Sequence, residues 1–184
     1  MKKQHKIVLF AALGSLIVAV GGCSRSDTSG DTTTVPPAEV ANPYGAGLVD
    51  PPQPNEPLLE VNVRGKVTKF SLESLKSFPA TTVELFEPFI KVRSTFTGVS
   101  LADLFDAVGI EANDNVDTLA LNEYRYISVA GKFTESDGLL AYEQDGHAIS
   151  MDRGGPIRIV FPDGSPLSVV LDAWNWALSS ITVK

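Results

Sequence analysis

An α+β fold, with mixed β-sheets and short flanking helices, is predicted for residues 58–184 of the 184-residue chain. Three observations predict it: β-type alternation recurs along this segment, the helical stretches between are short, and the two never settle into the regular βαβ rhythm of a parallel sheet. At about 127 residues the segment has the usual size of one domain with one core. No internal repeat divides it.

The elements follow in order. "LEVNVRGKVTKF" alternates apolar and polar residues around Gly65, predicting two strands joined by a turn. "SLESLKSFP" places Leu72, Leu75 and Phe78 on one helical face, with Ser71 as N-cap and Pro79 as stop. "TTVELFEPFIKVRSTFTG" reads as strand, break at Pro88, and strand. "SLADLFDAVGI" is the clearest helix: Ser100 caps it, Asp103 can complete a capping box, and Leu101, Leu104, Phe105 and Val108 form the buried stripe. Gly109 suits the left-handed closing position. "TLALNEYRYISVAG" is strand material, "SDGLLAYEQDG" a short helix leading into a turn, and "PIRIVFPDG" a strand. "SVVLDAWNWALSSITVK" ends the chain as a strand or turn, a helical segment around Trp174 and Trp176, and a closing strand.

Residues 1–22 stand apart. "MKKQHK" is a short basic region and "IVLFAALGSLIVAV" an apolar core shorter than the about 18 to 20 residues of a permanent membrane helix. "VGGC" then places small residues before Cys23, the single cysteine of the chain, in a pattern that resembles the bacterial lipoprotein signal. That resemblance implies lipidation of Cys23 and several acyl chains, each buried CH₂ contributing roughly 0.8 kcal/mol to anchoring. Ser24 after the cysteine, rather than aspartate, implies sorting to the outer membrane in a Gram-negative host. Residues 23–57 are rich in Ser, Thr, Asp, Gly and Pro, which predicts a lipidated N-terminus followed by a disordered, extended tether. Tyr44, Leu48 and Val49 are isolated apolar residues within it and could dock on a partner.

Loss of Lys2, Lys3 and Lys6 with the signal leaves 12 bases against 22 acids, a formal charge of −10. Such a balance argues against nucleic-acid binding and against electrostatic docking on anionic lipid. Membrane attachment is expected from the lipid alone.

Four stretches, "FTGVSLADLFDAVGI", "GLLAYEQDGHAIS", "GGPIRIVFP" and "AWNWALSSITV", in this order, resemble the molybdopterin-binding domain of the sulfite-oxidase-type oxidoreductases in its short bacterial version. The resemblance covers nearly all of residues 58–184. It implies mixed sheets flanked by short helices and, in catalytic relatives, a pterin-bound molybdenum ligated by a cysteine. In those relatives the cysteine lies just before the "TGVSLADLF" helix. Here that segment is "VELFEPFIKVRSTF", without a cysteine, and Glu84 and Glu87 are harder donors than a thiolate. Cys23 is committed to the anchor.

Arginines are the remaining candidates for a ligand or cofactor cleft, because a guanidinium fork matches phosphate and carboxylate oxygens. Arg153, Gly154, Gly155 and Arg158 lie in "DRGGPIRIVFP", and Arg93 and Arg125 come from segments that could fold nearby. Arg158 alternates with Ile157 and Ile159, which predicts a side chain pointing away from the apolar face. Arg-Gly-Gly lacks the helix N-terminus of a phosphate loop. His147 is the one histidine left after signal removal and reads as a solvated loop residue; Asp145, Asp152 and Asp163 beside glycines read as turn formers. Neither a zinc motif nor a nucleophile elbow is present. Trp174 is expected inward and Trp176 at a rim, where it could serve an interface.

The sequence thus predicts a lipid-anchored module on the periplasmic face of the outer membrane that keeps the fold, lacks molybdenum catalysis and a bound cofactor, and binds a small ligand or a periplasmic protein through the old cofactor cleft. The alternative left open is a true molybdopterin-dependent oxidoreductase, or a cofactor-binding subunit, that holds the pterin without cysteine ligation. A purely structural envelope protein is a third reading.

Overall fold

The computed structural model describes residues 52–184. The signal, Cys23 and the Tyr44, Leu48 and Val49 segment lie outside the described residues. Among the described residues, ten strands form two five-stranded sheets. In the first, β1 (Pro57–Val63) and β2 (Lys66–Ser71) are a hairpin. Its turn needs positive φ at Arg64 and Gly65, and the Asn62 side chain accepts from Gly65 N at 3.0 Å. β5 (Asn115–Ala120) and β6 (Arg125–Val129) make a second hairpin. The last strand, β10 (Leu178–Val183), joins the two, parallel to β1 and antiparallel to β5, in the order β2-β1-β10-β5-β6.

The second sheet pairs β3 (Ala80–Glu87), β4 (Val92–Ser100) and β7 (Leu139–Gln144) in antiparallel fashion. Two short strands, β8 (His147–Ala148) and β9 (Arg158–Val160), share the other edge of β7. Inward residues of both sheets, among them Leu59, Val61 and Ile181 from the first and Leu85, Phe96 and Leu140 from the second, belong to one apolar cluster. The α+β class with mixed sheets is therefore as the sequence predicts.

Among the described residues, three short α-helices flank the sheets. α1 (Leu72–Lys76) is capped by the Ser71 hydroxyl, which accepts from Ser74 N at 3.2 Å. α2 (Leu101–Val108) buries Leu101, Leu104 and Phe105, and ends at Gly109 with φ +79°. Its Ser100 hydroxyl accepts from Ala102 N, not from Asp103 N, so the cap forms without the expected box.

α3 (Ala130–Glu135) corrects the sequence reading, which ran strand material as far as Gly131, assigned no element to residues 132–135 and placed a helix on "SDGLLAYEQDG". That stretch is β7, an interior strand buried from Leu139 to Tyr142. A strand covered on both faces needs a continuous apolar run, and such a run does not distinguish strand from helix by periodicity. The helical turns near the C-terminus are 3₁₀ turns at Pro166–Val169 and Leu171–Ala173. They stop before Trp174, so the segment holding both tryptophans is irregular rather than helical.

Candidate functional site

The "DRGGPIRIVFP" stretch runs from the 3₁₀ turn Met151–Arg153 through Gly154 at φ +82° into β9. Neither glycine has room for a side chain. A Cβ at Gly154 would sit 2.6 Å from Trp176 Cγ, and one at Gly155 1.8 Å from the Ile149 carbonyl oxygen. The backbone thereby closes directly onto the Trp176 ring.

Arg158 departs from its expected outward orientation. All three β9 residues are buried, and the Arg158 side chain is 1% exposed, because both faces of this short strand are covered. Its charge is accommodated by two acceptors: Nη2 donates to Glu87 Oε1 at 2.8 Å and Nη1 to the Arg153 carbonyl at 2.8 Å. The guanidinium also lies 4.3 Å from the centroid of the Trp176 ring. Burial lowers the Arg158 pKa to about 10, against the opposing pull of Glu87, so the group stays cationic at neutral pH.

Glu87, at the end of β3, is fully buried. Its second oxygen, Oε2, accepts from Phe89 N at 2.9 Å and Ile90 N at 2.6 Å. One carboxylate thus ties Arg158 to the β3–β4 turn. That turn holds Phe89 with its ring centroid 5.1 Å from Trp176 and 6.4 Å from Trp174, edge to face in both cases.

Phe89, Trp174 and Trp176 form one side of a cavity of about 320 Å³, with Tyr124 from the β5–β6 turn completing the aromatic wall. Leu171, Asn122 and Asp172 reach its lining as well. Trp174 is buried and Trp176 half-buried, in the orientations the sequence suggests. The Tyr124 hydroxyl donates to the Asp172 carbonyl at 3.1 Å. Burial, and then the Asp172 charge, push its phenol up. Sequence reasoning did not find Phe89, Tyr124 or Asp172, which belong to three separate loops. The proline before Phe89 was the one local signal.

The other predicted arginines are dispersed. Arg93 is exposed and held by Glu84 at 2.7 Å and Asp163 at 2.9 Å. Arg125 lies in the first sheet and pairs with Asp117 at 2.6 Å. Arg153 is half-exposed with Asp152 as a distant partner at 3.8 Å. Arg153, Gly154, Gly155 and Arg158 are consequently together, whereas Arg93 and Arg125 are committed to their own carboxylates. The aspartates also do more than shape turns: Asp145 Oδ1 accepts from Thr95 N at 2.8 Å and Asp163 Oδ1 from Phe86 N at 2.8 Å. His147 is exposed and lines a second cavity of about 330 Å³ with Arg153, Gln144 and Ser150.

A family model described as "Oxidoreductase molybdopterin binding domain" matches residues 50–168. The chain belongs to the oxidoreductase molybdopterin-binding domain family. Among solved structures, the sulfane dehydrogenase SoxCD from Paracoccus pantotrophus shares the fold of this family member at a TM-score of 0.55 and 18% identity, over 68% of the chain. The match spans 37% of that SoxCD chain. Comparison with curated proteins gives no match.

A thiolate-ligated molybdenum centre does not fit the residues of this family member. The described residues contain no cysteine, and no group of three or more His, Cys, Asp or Glu side chains among them is placed to hold a metal ion. Of the four predicted arginines, Arg158 is sealed against Glu87 and both Arg93 and Arg125 are paired, which leaves Arg153, at the second cavity, as the one without a close carboxylate.

Proposed function

We propose that the protein is a lipid-anchored envelope module that retains the molybdopterin-binding-domain scaffold, carries out no molybdenum chemistry, and acts by binding a ligand. The observation that carries this reading is the sealed Arg158–Glu87 pair in a family member without a thiol in its domain. A guanidinium whose two Nη groups already donate to a backbone carbonyl and a buried carboxylate, and whose Nε is buried, has little to offer a phosphate or an anionic substrate. The aromatic cavity beside the pair supplies a concave, largely apolar surface of the kind that takes small molecules. Anchoring at Cys23 and a periplasmic site on the outer membrane rest on the "VGGC" signal and the Ser24 that follows.

Metal and pterin analysis of the protein purified from a molybdenum-replete, cofactor-competent host tests this reading. Molybdenum and pterin far below stoichiometric amounts are expected. Near-stoichiometric molybdenum together with pterin would overturn it and establish the oxidoreductase alternative, which the family match favours.

A further inference from the structure

The aromatic cavity is chemically one-sided. None of the residues lining it is cationic. Arg158, which lies over the Trp176 ring, is turned to Glu87 and the Arg153 carbonyl. Of the donors near the cavity, both indole Nε1 groups are buried without a partner, and the Tyr124 hydroxyl donates to the Asp172 carbonyl. The Asn122 side chain accepts from Tyr124 N through Oδ1. The Asp172 side chain, by contrast, is exposed and has no cationic partner among the described residues. With a carboxylate and no cation in the lining, a full negative charge is disfavoured there on Coulombic grounds.

We infer that this cavity binds a small organic cation, an alkylammonium or quaternary ammonium group on an apolar body. The inference deepens the ligand-binding reading above and rests on it. Aromatic walls attract a cation through their ring electrons, and a carboxylate at the rim adds a Coulombic pull on the same charge. At about 320 Å³ the cavity is at the small end for ligand pockets. Its walls are pre-formed: Glu87 fixes the turn that carries Phe89, and Gly154 admits the Trp176 ring against the backbone. Leu171, Asp172, Trp174 and Trp176 all lie beyond the stretch matched by the family model.

Both tryptophans of the chain line the cavity, so intrinsic tryptophan emission reports on it alone. The full-length chain in non-ionic detergent is titrated with choline and with 3,3-dimethylbutan-1-ol, its neutral isostere. Choline is expected to bind about fivefold tighter or better, the ratio an exposed cation–aromatic contact supports. Asp172→Asn and Asp172→Ser should each reduce that preference to the share the aromatic walls supply, and Phe89→Ala should weaken both ligands. Equal or tighter binding of the isostere, no saturable response to choline, or an undiminished preference in both Asp172 variants would overturn the inference. Such a failure leaves the metal and pterin content unchanged, and molybdenum in the purified protein would sink the functional reading without touching the titration.

Discussion

Arg158 and Glu87 meet at 2.8 Å with side chains 1% and 0% exposed, joining residues that are 71 positions apart in the sequence. A buried ion pair is held by geometry more than by net energy, since removing two charges from water offsets most of their attraction. Glu87→Ala should cost about 3–5 kcal/mol, because it strands the guanidinium and frees the Phe89 and Ile90 N–H groups. The double variant Glu87→Leu with Arg158→Met should recover a large part of that loss in urea denaturation. Equal loss in single and double variants would show that the charges themselves stabilise the fold.

Gly154→Ala combines strain at φ +82° with a Cβ placed 2.6 Å from the Trp176 ring. The expected cost is about 1–3 kcal/mol. Tryptophan emission should shift toward that of a more exposed indole, since the ring is the element that can move. A variant with unchanged midpoint and spectrum would contradict the close packing of backbone on ring.

Asp163 is held below its ordinary carboxylate range, first by the Phe86 N–H and then by Arg93. A carboxylate lowered in the folded state stabilises fully above its unfolded value, here 3.8, and loses that contribution as pH falls through the folded value. Asp163→Asn should therefore be less stable than the native chain at neutral pH, and the gap should close below about pH 4. Chemical denaturation at several pH values measures it. A gap that widens in acid would reverse the assignment.

Cys23→Ala should abolish labelling by radioactive palmitate and release the protein from the membrane fraction. Retention in that fraction by the unlabelled variant would count against the lipid anchor.

Much of the fold was legible because its signals are local. Gly65 after Arg64 marks the first hairpin, Ser71 and Ser100 cap their helices, and Gly109 closes α2. β7 was misread because burial on both faces erases the alternation that identifies a half-exposed strand. Arg158 was misplaced for a related reason: local pattern cannot reveal that a carboxylate 71 residues earlier is waiting in the core. The cavity was half visible. Trp174 and Trp176 drew attention as aromatics, but Phe89, Tyr124 and Asp172 meet them only through the packing of turns that no spacing rule connects.

The position of β10 makes the first sheet depend on a single strand. The hairpins β1–β2 and β5–β6 do not touch as neighbours in the first sheet; the final strand is the wedge that unites them. Without β10 the two hairpins would be separate, each with open edges. Removal of Leu178–Val183 would therefore split the sheet in two rather than shorten it, which makes this strand a checkpoint on assembly.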